Sequence, residues 1–197
     1  MTLRPWPFQA KASVRARGSS RRYTDDGTEK IEVHMVESKF QDKHGMEDVC
    51  LCDAPKVWKL MWALTPNPIC CMRCNLEISP SESHITADLE NSISTWISQW
   101  SPLYKTWLGS GEDETLATNE LINIESEPNK KGREIVKELS KINPCYYQVF
   151  EEEILEGWTP MRVCPSCSKL LQPRNFGKFK YQSCEDCGLL YWGAEEK

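Results

Sequence analysis

No stretch of this chain approaches the roughly 20 consecutive apolar residues that a helix needs to cross a bilayer, so neither a spanning segment nor a membrane partner is expected. Residues 1–22 are basic but have no apolar run behind them, so a secretory signal is not expected either. The signatures of common catalysts are also missing. There is no phosphate-binding loop, no G-x-S-x-G elbow, no H-E-x-x-H helix and no dinucleotide fingerprint. A zinc-deaminase site needs His-x-Glu together with Pro-Cys-x-x-Cys. Here Pro165 falls inside its cysteine pair, and no His-x-Glu stands near it. These absences point to a soluble, cytoplasmic, non-enzymatic protein with no small-molecule substrate.

Cysteine, by contrast, is abundant, with ten in 197 residues. Six fall in three Cys-x-x-Cys pairs: Cys71/Cys74, Cys164/Cys167 and Cys184/Cys187. Disulfides do not need that spacing, whereas tight turns that present two thiolates to one ion do. In Cys164-Pro165-Ser166-Cys167 and Cys184-Glu185-Asp186-Cys187, each turn can aim two sulfurs and several N–H groups at a single zinc. Gly188 can supply a positive φ just past the second turn. The sixteen residues between the turns suit a β-hairpin. With all four positions filled by protein, no position stays open for catalysis, so a structural zinc is expected. Such an ion supplies folding free energy on the order of 10 kcal/mol.

The Cys71/Cys74 pair cannot close a tetrahedron alone. Its candidate partners are Cys50, Cys52, Cys70 and His44. Cys50 and Cys52 complete the expected second zinc site, and unligated buried thiols are the alternative. Cys145, alone in an apolar segment, reads as a core thiol.

Charge is unevenly spread over a net of -5. Residues 1–22 carry six cations and no acid; residues 82–157 carry fifteen acids and six cations; residues 158–193 carry five cations and two acids. Together with the local patterns, this divides the chain into a basic tail (1–29), a mixed α+β domain (30–157) with a helical middle (86–142), and a zinc ribbon of β-hairpins (158–193). A strand is expected at 30–36, whereas the periodicity of 57–64 leaves strand and helix open. Leu89, Ile93, Trp96, Ile97 and Trp100 share one helical face and read as core. Ser101-Pro102 reads as the N-cap and first position of a second short helix. Residues 112–122 form a third, and Asn129 caps a fourth, whose stripe is Ile135, Val136, Leu139 and Ile142. Residues 145–150 read as a strand.

Two segments invite a functional reading besides a structural one. Gly109-Ser110-Gly111 reads foremost as a helix–helix turn, with an anion nest as the alternative. In the ribbon, Arg174, Phe176, Lys178, Phe179, Lys180 and Tyr181 interleave cations with aromatics. Flat rings can stack on bases while cations meet phosphates. The same rings can equally pack on their own sheet or on the neighbouring domain.

Several blocks carry a resemblance. They are Pro68-Ile69-Cys70-Cys71-Met72-Arg73-Cys74, residues 103–118, Gly132-Arg133-Glu134, Pro144-Cys145-Tyr146-Tyr147 and the two C-terminal cysteine pairs with Leu189-Leu190. In order and rough spacing over residues 68–190, the chain resembles an uncharacterised bacterial family described as zinc-ribbon-containing, for which nucleic-acid binding is suggested. The resemblance implies that Cys71/Cys74 belongs to a metal-binding pattern. It implies no established activity, and residues 1–60 take no part in it. Two functions are therefore expected to compete. One is nucleic-acid contact through the ribbon and basic tail. The other is a protein-interaction module, such as an immunity or adaptor protein, that grips a basic protein partner with its acidic helical face.

Overall fold

A computed structural model describes residues 49–53, 57–62, 67–79, 83–109, 113–151 and 158–193. The basic tail, the strand expected at 30–36, His44, Ser110, Gly111 and Glu112 lie outside the described residues. In chain order the elements are β1 (Trp58–Leu60), β2 (Ile69–Cys71), α1 (Ala87–Leu108), α2 (Glu114–Ile122), α3 (Glu127–Leu139), β3 (Cys145–Gln148), β4 (Gln172–Phe176), β5 (Phe179–Cys184) and β6 (Leu189–Trp192). The class is mixed α+β.

The strands form one sheet in the order β2-β1-β3-β6-β5-β4. β1 is a strand rather than a helix because it is buried on both faces, the environment of a central strand. It pairs antiparallel with β2 and parallel with β3. A parallel neighbour needs a crossover, and the three helices supply it. β6 then pairs parallel with β3, with the Tyr147 N–H donating to the Gly188 carbonyl at 2.7 Å. The sheet thus runs unbroken past residue 158, where the sequence suggested a boundary.

The helices cover the face that carries Tyr147. Trp96, 0% exposed, meets the Tyr147 ring edge-on at 6.2 Å and donates its indole N–H to the Pro128 carbonyl at 2.9 Å. An added Cβ at Gly132 would lie 2.3 Å from a Tyr147 ring carbon, so α3 meets this ring with bare backbone. The stripe of α1 continues through Trp100 and Tyr104 to Trp107. Trp62 stacks on Trp100 at 4.8 Å and meets Tyr104 at 3.9 Å, while Phe150 touches Trp107 at 5.0 Å.

That continuous aromatic seam corrects the expected break at Ser101-Pro102. α1 is one helix of 22 residues with Pro102 inside it. Proline removes an i→i−4 hydrogen bond at a cost of about 3 kcal/mol, but burial of aromatics on both sides of it outweighs that loss. The true N-cap is Thr86, whose hydroxyl accepts from the Leu89 N–H at 3.3 Å.

Asn129 is a second correction. It does not cap α3, which begins at Glu127 after Ser126. Fully buried, it instead caps the end of α2. Its Nδ2 donates to the carbonyls of Glu120, Leu121 and Asn123 at 3.2, 2.9 and 2.8 Å, and its Oδ1 accepts from the Tyr147 hydroxyl at 2.5 Å. One side chain thereby ties α2, α3 and β3 together.

Candidate metal centres

The sequence Cys164-Pro165-Ser166-Cys167 closes on itself. The Ser168 N–H donates to the Cys164 carbonyl and the Cys164 N–H to the Lys169 carbonyl, both at 2.8 Å. Gly188 adopts φ 62°, the left-handed turn expected just past the second cysteine pair, and Ser168 takes the same conformation, φ 59°, past the first. β5 delivers Cys184 to the same place. The Sγ atoms of Cys167 and Cys184 lie 3.5 Å apart, and those of Cys164, Cys167, Cys184 and Cys187 all lie within 4.8 Å of one another. Four sulfurs at 2.3 Å from a tetrahedral zinc would be about 3.8 Å apart, so the cluster fits such an ion. The ten cysteines are all unbridged.

The N-terminal cluster is Cys50, Cys52, Cys71 and Cys74, again with sulfurs within 4.8 Å of one another. Val49 bridges Glu77, and the Cys50 N–H donates to the Glu77 carbonyl at 2.8 Å. This pairing carries the Cys50-Leu51-Cys52 segment up to the Cys71/Cys74 turn. Cys70 is excluded by strand geometry. It pairs with Lys59 while Cys71 pairs with Trp58, and successive residues of a strand point to opposite faces. Burial pushes its thiol up to about 12. Cys145 is a buried core thiol, raised well above the usual thiol range by burial.

Both clusters mix raised and lowered thiols. In the C-terminal cluster the Lys169 N–H, aimed at Cys167, holds that thiol below its usual value, whereas burial pushes Cys184 up to about 12. In the N-terminal cluster burial drives Cys71 upward, but the N–H groups of Cys74 and Arg73 outweigh it, the latter at 3.4 Å, and the net direction is down. Burial pushes Cys74 up to about 11. Each cluster thus aims backbone donors at one of its sulfurs, which favours the thiolate form a metal ligand needs.

Around the C-terminal cluster, Glu185 joins three strands. Its carboxylate accepts from the Tyr146 hydroxyl at 2.6 Å, from Arg174 at 2.8 Å and from the Ser183 hydroxyl at 2.8 Å. Lys169 pairs with Asp186.

The arm's rings pack on their own sheet, one of the two readings the interleaving left open. Arg174 is engaged by Glu185. Tyr181 is 1% exposed and belongs, with Met72 and Leu190, to a small apolar cluster that Phe176, Phe179 and Trp192 pack against. Lys180 is half-buried; Arg174 is exposed but ion-paired, and Lys178, at the hairpin turn, is exposed with its Nζ 5.2 Å over the Phe179 ring. The sequence reading missed Lys59 altogether. It is 0% exposed, with its Nζ donating to Gln148 Oε1 at 2.6 Å and to the Tyr181 hydroxyl at 3.1 Å, and it lies 5.1 Å from the Tyr181 and Trp192 ring centres. The one available signal was its place in Trp58-Lys59-Leu60, where alternation puts it on the opposite face.

No helix among the described residues is long and apolar enough to cross a membrane. No family model, curated protein or solved structure matches the chain.

Proposed function

We propose that this chain is a non-enzymatic binding protein stapled by two structural zinc ions, with residues 158–193 folded as a zinc ribbon. The observation that carries the reading is the pair of four-cysteine clusters, each with its sulfurs within 4.8 Å of one another. Four protein thiolates fill a tetrahedral zinc's coordination and leave no position for water or substrate. All-thiolate donor sets select soft ions over magnesium or calcium. Each zinc supplies folding free energy on the order of 10 kcal/mol.

Binding then falls to the surfaces these staples orient. Leu108, Leu116 and Ile122 are 51%, 63% and 42% exposed on α1 and α2. They lie within the stretch of fifteen acids and six cations. Exposed apolar side chains among carboxylates suit a basic protein partner. A second reading, nucleic-acid contact, draws on exposed Arg162 and Lys178 in a segment of five cations and two acids. Because the arm's aromatics pack inward, such contact would run through phosphates and be lost steeply as salt rises.

Metal analysis of the purified chain tests the staples. Two zinc ions per chain are expected, falling to one in Cys71→Ser and in Cys164→Ser, and a zinc-free wild type would sink the reading. For the surface, a stoichiometric partner recovered from the native host should be lost on Leu116→Asp. Salt-sensitive binding to DNA or RNA, with no such partner, would turn the assignment to nucleic acid.

A further inference from the structure

The turn from Cys71 to Cys74 offers ligands at its ends and a plug in its middle. Met72 is 0% exposed and packs with Tyr181 of β5 and Leu190 of β6. Its N–H donates to the Val57 carbonyl at 2.9 Å. Beside it, the Arg73 carbonyl lies under Gly177, at the tip of the β4–β5 hairpin. A Cβ on Gly177 would come within 2.7 Å of that oxygen, and Gly177 adopts φ 58°. Only glycine lets the tip seat there. From this tip β5 runs directly to Cys184, a ligand of the other cluster. One short, packed path therefore joins the two clusters: turn, Met72 and Arg73, hairpin tip, β5, Cys184.

We infer that the two metal sites are coupled through this seat, so that an ion at one strengthens binding at the other; the inference rests on the two-zinc reading above. An ion on Cys71 and Cys74 fixes the turn and, with it, the seat for Met72 and the hairpin tip. A seated hairpin holds Cys184 where the C-terminal cluster needs it, which lowers the ordering cost of filling that cluster. By linkage the C-terminal ion strengthens the N-terminal site by the same factor. The consequence is cooperative loading: for sites of similar intrinsic affinity, about tenfold coupling leaves about a quarter of half-loaded chains singly filled, against about half for independent sites.

Native mass spectrometry of the full chain, titrated with zinc under reducing conditions, reads this directly. At one zinc per chain, empty and doubly loaded chains are expected to outnumber singly loaded ones. A singly loaded majority overturns the coupling while leaving the two-zinc reading intact; failure to bind zinc overturns that reading instead. Chelator competition supplies a second measurement. Cys74→Ser should weaken zinc at the C-terminal site about tenfold, within the usual range of coupling, and an unchanged affinity counts against the inference. Met72→Ala, which removes the plug but no ligand, should still bind two zinc ions but load them through a populated singly filled form. If its loading stays as cooperative as that of the wild type, Met72 is not the link.

Discussion

Asn129→Ala is expected to destabilise the protein by about 4 kcal/mol. The side chain is 0% exposed and makes four hydrogen bonds, three to the carbonyls that end α2 and one from the Tyr147 hydroxyl. Truncation strands that hydroxyl, on a residue 1% exposed, and at least one fully buried carbonyl, that of Leu121. A buried polar group left unpaired costs about 1–3 kcal/mol, so the pair costs about 4 kcal/mol at mid-range. For a chain of this size each kcal/mol lowers Tm by about 2–4 °C, which makes the expected drop roughly 10 °C. Urea unfolding followed by tryptophan fluorescence at saturating zinc measures it, with m unchanged if the unfolded state is unaffected. Asn129→Asp sharpens the test. It keeps an acceptor for Tyr147 but turns a second oxygen toward three carbonyls, so it should be at least as damaging. A loss below about 1 kcal/mol for Asn129→Ala would refute the idea that this side chain bolts α2 and α3 to the sheet.

Gly132→Ala should destabilise despite gaining about 1 kcal/mol of helix propensity, because the new Cβ would stand 2.3 Å from the Tyr147 ring, which Asn129 holds in place; a raised melting temperature would contradict the close approach. Pro102→Ala should stabilise by up to about 3 kcal/mol by restoring the missing N–H within α1, and a lower melting temperature would mean that the helix does not run through. Cys145, held neutral by burial, should resist iodoacetamide at pH 8 in the folded protein and react on unfolding. Its folded value lies above its unfolded one, so its contribution to stability is full below about pH 8.5 and declines as pH rises further. Cys145→Ala should therefore flatten the alkaline side of the stability profile, and an unchanged slope would count against burial as the cause.

The C-terminal cluster was fully legible because its information is local: two turns of fixed spacing, each specifying two ligands. The N-terminal cluster was legible only in part. Cys71 and Cys74 announce themselves, but the choice of Cys50 and Cys52 rests on a distant bridge between Val49 and Glu77. Strand alternation could have removed Cys70 beforehand, had 69–71 been read as a strand. Pro102 and Asn129 were misread for one reason. Both carry strong local preferences, and both sit where packing between distant elements outbids the local choice. The arm shows the same limit. Interleaved cations and aromatics describe a surface only if nothing covers the rings, and Met72, which does so together with Leu190, comes from about a hundred residues earlier in the chain.

The sheet's strand order has a consequence for solubility. An open sheet has two rims whose spare N–H and C=O groups invite another molecule to pair. On the β2 side, Glu77 bridges Cys70, and the Ile78 N–H donates to the Ile69 carbonyl, so the rim is already taken. On the β4 side the residues are exposed, but the register of the hairpin turns the backbone of Pro173 outward, opposite Gln182. Proline has no N–H to offer there. The interruption falls at the second of the rim's five residues, so an incoming strand would find a missing rung. Among the described residues, one rim of the six-stranded sheet is thus covered and the other interrupted, which hinders edge-to-edge pairing between copies.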